Sequence, residues 1–152
     1  MVIRDQAQAL SVAIEMEKRA IRTYERALMI VKDAEVAAGI QKILADEKEH
    51  LRRFYSLRNM GMAVDAEDRI LSEGMAADAL FTGGVMEMAR RQGLESVKDL
   101  YIFAADSEKA AVENYTAFAD KCTDEDVKRA FMTIAAEESG HLTTLNRELE
   151  KL

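Results

Sequence analysis

The sequence predicts an all-α protein, an antiparallel four-helix bundle assembled from a duplicated helical hairpin, with a long crossover containing short helices. Three observations carry that reading. Apolar residues recur at helical spacing through most of the chain. Proline is absent and there are only seven glycines, too little turn punctuation for an all-β or linker-rich protein. Finally, the two halves of the chain match each other at a fixed offset. At 152 residues with 49% hydrophobic composition, one domain over 1–152 can bury an ordinary core without disulfides.

The elements follow in order. Leu10, Ala13, Ile14, Ala20, Ile21, Tyr24, Leu28 and Val31 form the first apolar seam. Asp33 is the expected N-cap of a second helix, whose seam runs through Val36, Ile40, Ile43, Leu44, Leu51, Phe54 and Leu57. Ser96 opens a third helix carrying Val97, Leu100, Ala104, Ala111, Val112, Tyr115 and Phe118. Thr123 is expected to cap a fourth, with Val127, Ala130, Phe131, Ile134, Leu142, Leu145 and Leu149. The hairpins span about 5–59 and 96–150, and short loops make each pair antiparallel.

Residues 13–54 laid on residues 104–145, an offset of 91, share 12 identities in 42 positions, among them Glu17 with Glu108, Tyr24 with Tyr115, Glu47 with Glu138 and His50 with His141. Such a duplication packs around a pseudo-twofold axis and brings equivalent side chains toward a common centre. Residues 60–95 do not repeat. They hold five of the nine methionines and five of the seven glycines, and they read as a crossover with short helices at about 66–79 and 84–92. A crossover of this length lets the second hairpin lie on the first, or on that of another subunit in a domain-swapped homodimer. Its methionines read as packing material.

A net charge of -7, with no long basic run, argues against nucleic acid and anionic membranes as partners. Charged residues interrupt the start of the chain before any signal-like apolar run, and no stretch approaches the ~18 apolar residues of a span, so a soluble cytoplasmic protein is expected. The lone Cys122 excludes an internal disulfide and any CxxC pair.

Each seam has one position that should be apolar and is glutamate: Glu17, Glu47, Glu108 and Glu138. A buried carboxylate without a partner is costly, and four together repel, so something cationic must compensate. The seams supply histidine rather than lysine or arginine at that depth. His50 follows Glu47 by three residues, and His141 follows Glu138 by three. On a helix, positions three apart lie about 60° and nearly one turn from each other, so both side chains can grip one ion. Two helices contributing Glu and two contributing Glu-x-x-His make the ligand set of dinuclear carboxylate bundles. Four carboxylates then cancel two divalent ions. Without these glutamates the chain carries 24 acids against 21 bases, so more than half of its acidic excess belongs to this set.

Oxygen-rich ligation with one imidazole per ion favours iron or manganese by ligand type, and zinc can occupy the same cage; two iron ions are expected. Glu17 and Glu108 are the expected terminal ligands, Glu47 and Glu138 the bridging ones, and His50 and His141 each complete one ion. Around them, Asp46 is expected to orient His141 and Glu137 to orient His50, since ligand histidines usually donate their second N–H to a carboxylate. The hydroxyls of Tyr24 and Tyr115 are in position to bond ligand carboxylates. Glu15, Glu49 and Asp106 fall off the seams and are expected in solvent.

With these residues in view, the chain resembles the ferritin-like superfamily, most closely its rubrerythrin-related branch, over residues 10–150. The resemblance rests on Glu17-Lys18-x-Ala20 with Tyr24, Asp46-Glu47-Lys48-Glu49-His50, Glu108-Lys109-Ala110-Ala111 with Tyr115, and Glu137-Glu138-Ser139-Gly140-His141. It implies a non-haem di-iron centre that reacts with peroxide or dioxygen; rubrerythrins reduce hydrogen peroxide and protect against oxidative damage. Departures qualify this. One cysteine cannot build the rubredoxin-like module that feeds electrons to rubrerythrins, so a separate electron-donor protein is implied. Ala111 stands where rubrerythrins carry an extra glutamate, and the crossover looks longer than theirs. Bacterioferritin places its haem-binding methionine directly after the second-helix glutamate, where this chain has Lys48, so no haem is expected. Only 11 residues follow His141, which favours a dimer over a storage cage. The alternative function is iron binding or ferroxidase activity for storage or delivery without sustained turnover.

Overall fold

The computed structural model describes residues 3–59, 73–75 and 96–151. Four long helices dominate them: α1 (Gln6–Ile30), α2 (Ala34–Asn59), α3 (Val97–Ala119) and α4 (Glu125–Glu150). The protein is all-α, with no strand among the described residues. Residues 73–75 are helical; otherwise the crossover with its two expected short helices lies outside the described residues. No described helix is long and apolar enough to cross a membrane.

Side-chain caps set where the helices begin. Asp5 accepts from the Gln8 amide at 2.9 Å, Asp33 from Glu35 and Val36 at 2.9 and 3.0 Å, and Ser96 from Asp99 at 3.1 Å, each satisfying amides that a helix start leaves free. The fourth cap corrects the sequence reading. Asp124, not Thr123, accepts from Asp126 and Val127. Thr123 sits one residue before it and donates its amide to Gln6 Oε1, as does Asp124, which ties the α3–α4 turn to the start of α1. The repeat carried the missed signal, because Asp124 lies 91 residues after Asp33.

The helices pair α1 with α2 and α3 with α4, and the two hairpins meet mainly where α1 packs on α3, so the bundle closes within one chain. Hydrogen bonds from Tyr24 to Glu108 and from Tyr115 to Glu17 show that α1 and α3 run antiparallel. The core splits into two apolar clusters. One holds Leu10, Ile14, Phe54, Tyr115, Phe118, Phe131 and Ile134, with Met75 packed against it. The other holds Tyr24, Ala27, Ile40, Leu44, Leu100, Ala104 and Leu145. Each large side chain fully buried there contributes roughly 1.5–3 kcal/mol, which lets the fold tolerate the polar layer described below.

Residues 9–17 of α1 are all buried, more than the single stripe a helix shows its bundle partners. That cover takes in Glu15, contrary to expectation: its carboxylate is buried and paired with Lys18 Nζ at 3.0 Å, while Lys18 lies over the Tyr55 ring. Glu49 and Asp106 are exposed.

Candidate metal centre

Glu17, Glu47, Glu108, Glu138, His50 and His141 all project into the space between the two apolar clusters, and all are buried. Helical spacing alone places Glu47 with His50 and Glu138 with His141 on one face each. Antiparallel packing of the hairpins then sets the two faces against each other. The result is two overlapping sets of potential ligands, Glu17, Glu47, His50 and Glu138 in one and Glu47, Glu108, Glu138 and His141 in the other, each with ligand atoms within 4.8 Å of one another. Glu47 and Glu138 belong to both.

Both imidazoles turn Nδ1 inward. His50 Nδ1 lies 3.1 Å from Glu138, 3.3 Å from Glu47 and 3.8 Å from Glu17. His141 Nδ1 lies 3.0 Å from Glu138, 3.3 Å from Glu47 and 3.5 Å from Glu108. Each Nε2 points the other way, to Glu137 at 2.8 Å for His50 and to Asp46 at 3.0 Å for His141. Those outer carboxylates are about half exposed. A carboxylate on Nε2–H fixes the tautomer that leaves the Nδ1 lone pair free for a cation.

The tyrosines complete the layer from the opposite half. Tyr24 on α1 donates to Glu108 Oε1 at 2.5 Å, and Tyr115 on α3 donates to Glu17 Oε1 at 2.7 Å. Both phenols are pushed well above their usual range, first by burial and then by the carboxylate each faces. Sequence reasoning missed Arg53, one turn beyond His50, whose guanidinium reaches Glu137 at 3.2 Å and braces it. Its spacing of three from His50 was the available signal; Thr144 stands at the equivalent position of the other half.

Burial, followed by repulsion from neighbouring carboxylates, drives Glu17, Glu47 and Glu138 well above the ordinary carboxylate range. Burial acts in the same direction on Glu108, but hydrogen bonds from His141, Glu138 and Glu47 outweigh it and hold that group low. Burial opposes charge on the histidines, and the surrounding carboxylates prevail, so both bind a proton more tightly than a free imidazole. Protons thus do in the metal-free chain what cations do in a loaded one.

Even so, the layer is not internally satisfied. Glu17 Oε2 and Glu47 Oε1 are buried and make no well-formed hydrogen bond, with only the imidazole Nδ1 atoms of His50 and His141 near them at 3.8 and 3.3 Å. Oxygens left bare in this way are costly, and a cation between the carboxylates satisfies them. Acceptor-rich and donor-poor, with one inward imidazole nitrogen in each set, the cluster fits a metal ion. A shallow cleft between α1 and α3, lined by Ala20, Ser107 and Ala111, approaches it beside Glu17 and Glu108.

No curated protein and no solved structure matches the chain. The ferritin-like domain family matches residues 5–151, nearly the whole length and all four helices that build the cluster. With that match added to an all-α bundle holding a buried Glu/His layer, the chain belongs to the ferritin-like domain family.

Proposed function

We propose that this protein is a non-haem di-iron oxidoreductase of the rubrerythrin type, which reduces hydrogen peroxide or dioxygen with electrons from a separate donor protein. The observation that carries the reading is the sharing of Glu47 and Glu138 between two compact ligand sets, with bare carboxylate oxygens inside them. Glu17, Glu47, Glu138 and His50 would hold one ion, and Glu108, Glu47, Glu138 and His141 the other. Four carboxylates and two divalent ions sum to zero formal charge, which is what a buried site requires. Oxygen-rich donors with one imidazole per ion suit iron, with manganese or zinc as competitors. Bound iron supplies the one-electron redox couple.

The chain's own residues do the rest. Asp46 and Glu137 orient the imidazoles. Tyr24 and Tyr115 hold the terminal carboxylates Glu108 and Glu17 in one rotamer, and their tightly held protons keep them hydrogen-bond donors there. The apolar clusters on either side keep bulk water out, which limits side reactions. Oxidative-stress defence in the cytoplasm, as a homodimer, is the setting we propose.

Metal analysis of protein purified without added metal, with visible absorption before and after peroxide, tests the reading. Two irons per chain that peroxide oxidises faster than free ferrous iron support it; no acceleration overturns it. A second reading, iron storage or delivery without turnover, is favoured by Ala111, an apolar residue lining the cleft where rubrerythrins carry another carboxylate. Repeated turnover with an added electron donor excludes that second reading, and a single turnover per iron supports it.

A further inference from the structure

The two halves of the bundle are related by the 91-residue offset, but the cores they build on either side of the carboxylate layer are not equivalent. On the Tyr115 side, Phe54, Phe118 and Phe131 pack ring against ring, with centroids 5.2 to 5.6 Å apart. The residues at the equivalent positions on the Tyr24 side are Leu145, Ala27 and Ile40. Three phenyl rings on one side are therefore replaced by one methyl and two butyl groups on the other, while the surrounding backbone repeats.

Part of the missing volume remains as a small hollow. Ala27, Ile40, Leu100, Tyr101, Ala104 and Leu145 line a small void of about 10 Å³ on the Tyr24 side, open in part to solvent. Two of the polar groups at its wall are already engaged: Tyr24 donates to Glu108, and Thr23 Oγ1 donates to the Arg19 carbonyl. A void with mostly apolar walls favours an apolar guest over a polar one. At one end it shares Tyr101 with a surface depression beside Asp33 and Glu148. At the other it shares Thr23, Tyr24 and Ala104 with the cleft that touches Glu17, Glu47, Glu108 and Glu138. From Tyr101 to Glu108 is seven residues of α3, about 10 Å along the helix.

We propose that this hollow is the passage and waiting site through which dioxygen, a small apolar molecule, reaches the carboxylate layer from the α1–α2 turn end of the bundle. The proposal rests on the di-iron reading for its purpose but not for its geometry. A polar solute must shed its hydrogen bonds to traverse the same walls, at a cost dioxygen does not meet. The passage thus favours dioxygen over peroxide as the oxidant arriving by this route.

Dissolved dioxygen is paramagnetic, so the test uses it directly on the full chain, metal-free or loaded with diamagnetic zinc, under oxygen pressure with methyl resonances assigned. Ile40, Leu100 and Leu145 should relax several-fold faster than Ile14 and Ile134, which are as deeply buried in the other cluster. Equal relaxation in the two clusters overturns the proposal, whatever metal the protein holds. Ala27→Phe restores the ring found at the equivalent position, Phe118, and should abolish the difference; Ala27→Leu is the milder substitution should the phenyl ring prevent folding. In ferrous-loaded protein the bound iron would supply two electrons per dioxygen, one from each ion, and two protons would complete hydrogen peroxide. That oxidation should slow on the order of tenfold in the Ala27 variant with metal uptake unchanged. An unchanged rate in a folded, metal-loaded variant overturns the passage. Failure to bind metal at all, with the methyl contrast intact, overturns the di-iron reading and leaves the hollow standing.

Discussion

Tyr24 on α1 donates its hydroxyl proton to Glu108 on α3, and Tyr115 on α3 returns the same bond to Glu17 on α1. The two bonds are exchanged across the pseudo-twofold axis, so each half of the duplicated chain holds a carboxylate of the other. Tyr24→Phe and Tyr115→Phe should each leave a buried carboxylate oxygen bare, at a cost of about 1–3 kcal/mol. Metal affinity should fall about 10-fold to 100-fold, as is typical when a ligand loses an outer partner. Metal titration of both variants checks this, and an unchanged affinity contradicts the holding role.

Glu47 belongs to both ligand sets and Glu17 to one. Glu47→Ala should therefore weaken uptake of both metal equivalents, whereas Glu17→Ala should spare one. In the metal-free state Glu47→Ala should lower the melting temperature, since it removes a buried group that hydrogen-bonds Glu108 and leaves a cavity. Stoichiometry from titration, read beside thermal melts with chelator present, distinguishes these outcomes.

Asp46→Asn and Glu137→Gln should also cost about tenfold in metal affinity, because each weakens the partner of an imidazole Nε2–H. Arg53→Ala should act mainly on the His50 side, since Arg53 braces Glu137. Unequal loss of the two metal equivalents in Arg53→Ala is the signature to look for.

The response to pH follows from linkage. Glu17, Glu47 and Glu138 have folded values raised above the ordinary 4.5. Their stabilising contribution in the metal-free chain is complete below pH 4.5 and is lost as pH rises through the folded values. The histidines, raised above 6.5, act in the same sense above that pH. Glu108 is lowered, so its contribution is present above 4.5 and is lost only as pH falls toward its folded value. From neutral pH upward the metal-free protein should lose stability, by about 2–4 °C in melting temperature per kcal/mol. Metal should restore it, because binding displaces the same protons. Melts at several pH values with chelator and with metal give the comparison; a metal-free melting temperature that rises from pH 7 to 9 would be the contrary result.

Gly39 sits inside α2, exposed, with open space where a Cβ would stand. Gly39→Ala should stabilise the fold by about 0.5–1 kcal/mol, without altering metal binding. Thermal melts measure the gain directly.

Helix spans, caps and buried faces are written locally, in the period of apolar residues and in Asp5, Asp33 and Ser96, so the sequence alone determined the four helices and the faces that carry Glu47 with His50 and Glu138 with His141. Even the misplaced cap at Thr123 was recoverable from the repeat, because Asp124 answers Asp33. The tertiary structure decided what no single helix contains. Tyr24 stands two turns, about 10 Å, from Glu17 on its own helix, too far to bond it; antiparallel packing against α3 brings Glu108 abreast instead. Glu15 lies off the seam yet is buried, because α1 is covered on more than the face its bundle partners supply. The hollow at Ala27 likewise exists only once the two half-cores stand side by side. Periodicity specifies which face of a helix turns inward, whereas the partner it meets, and whether the space between is filled, depends on residues far apart in the chain that only packing brings together.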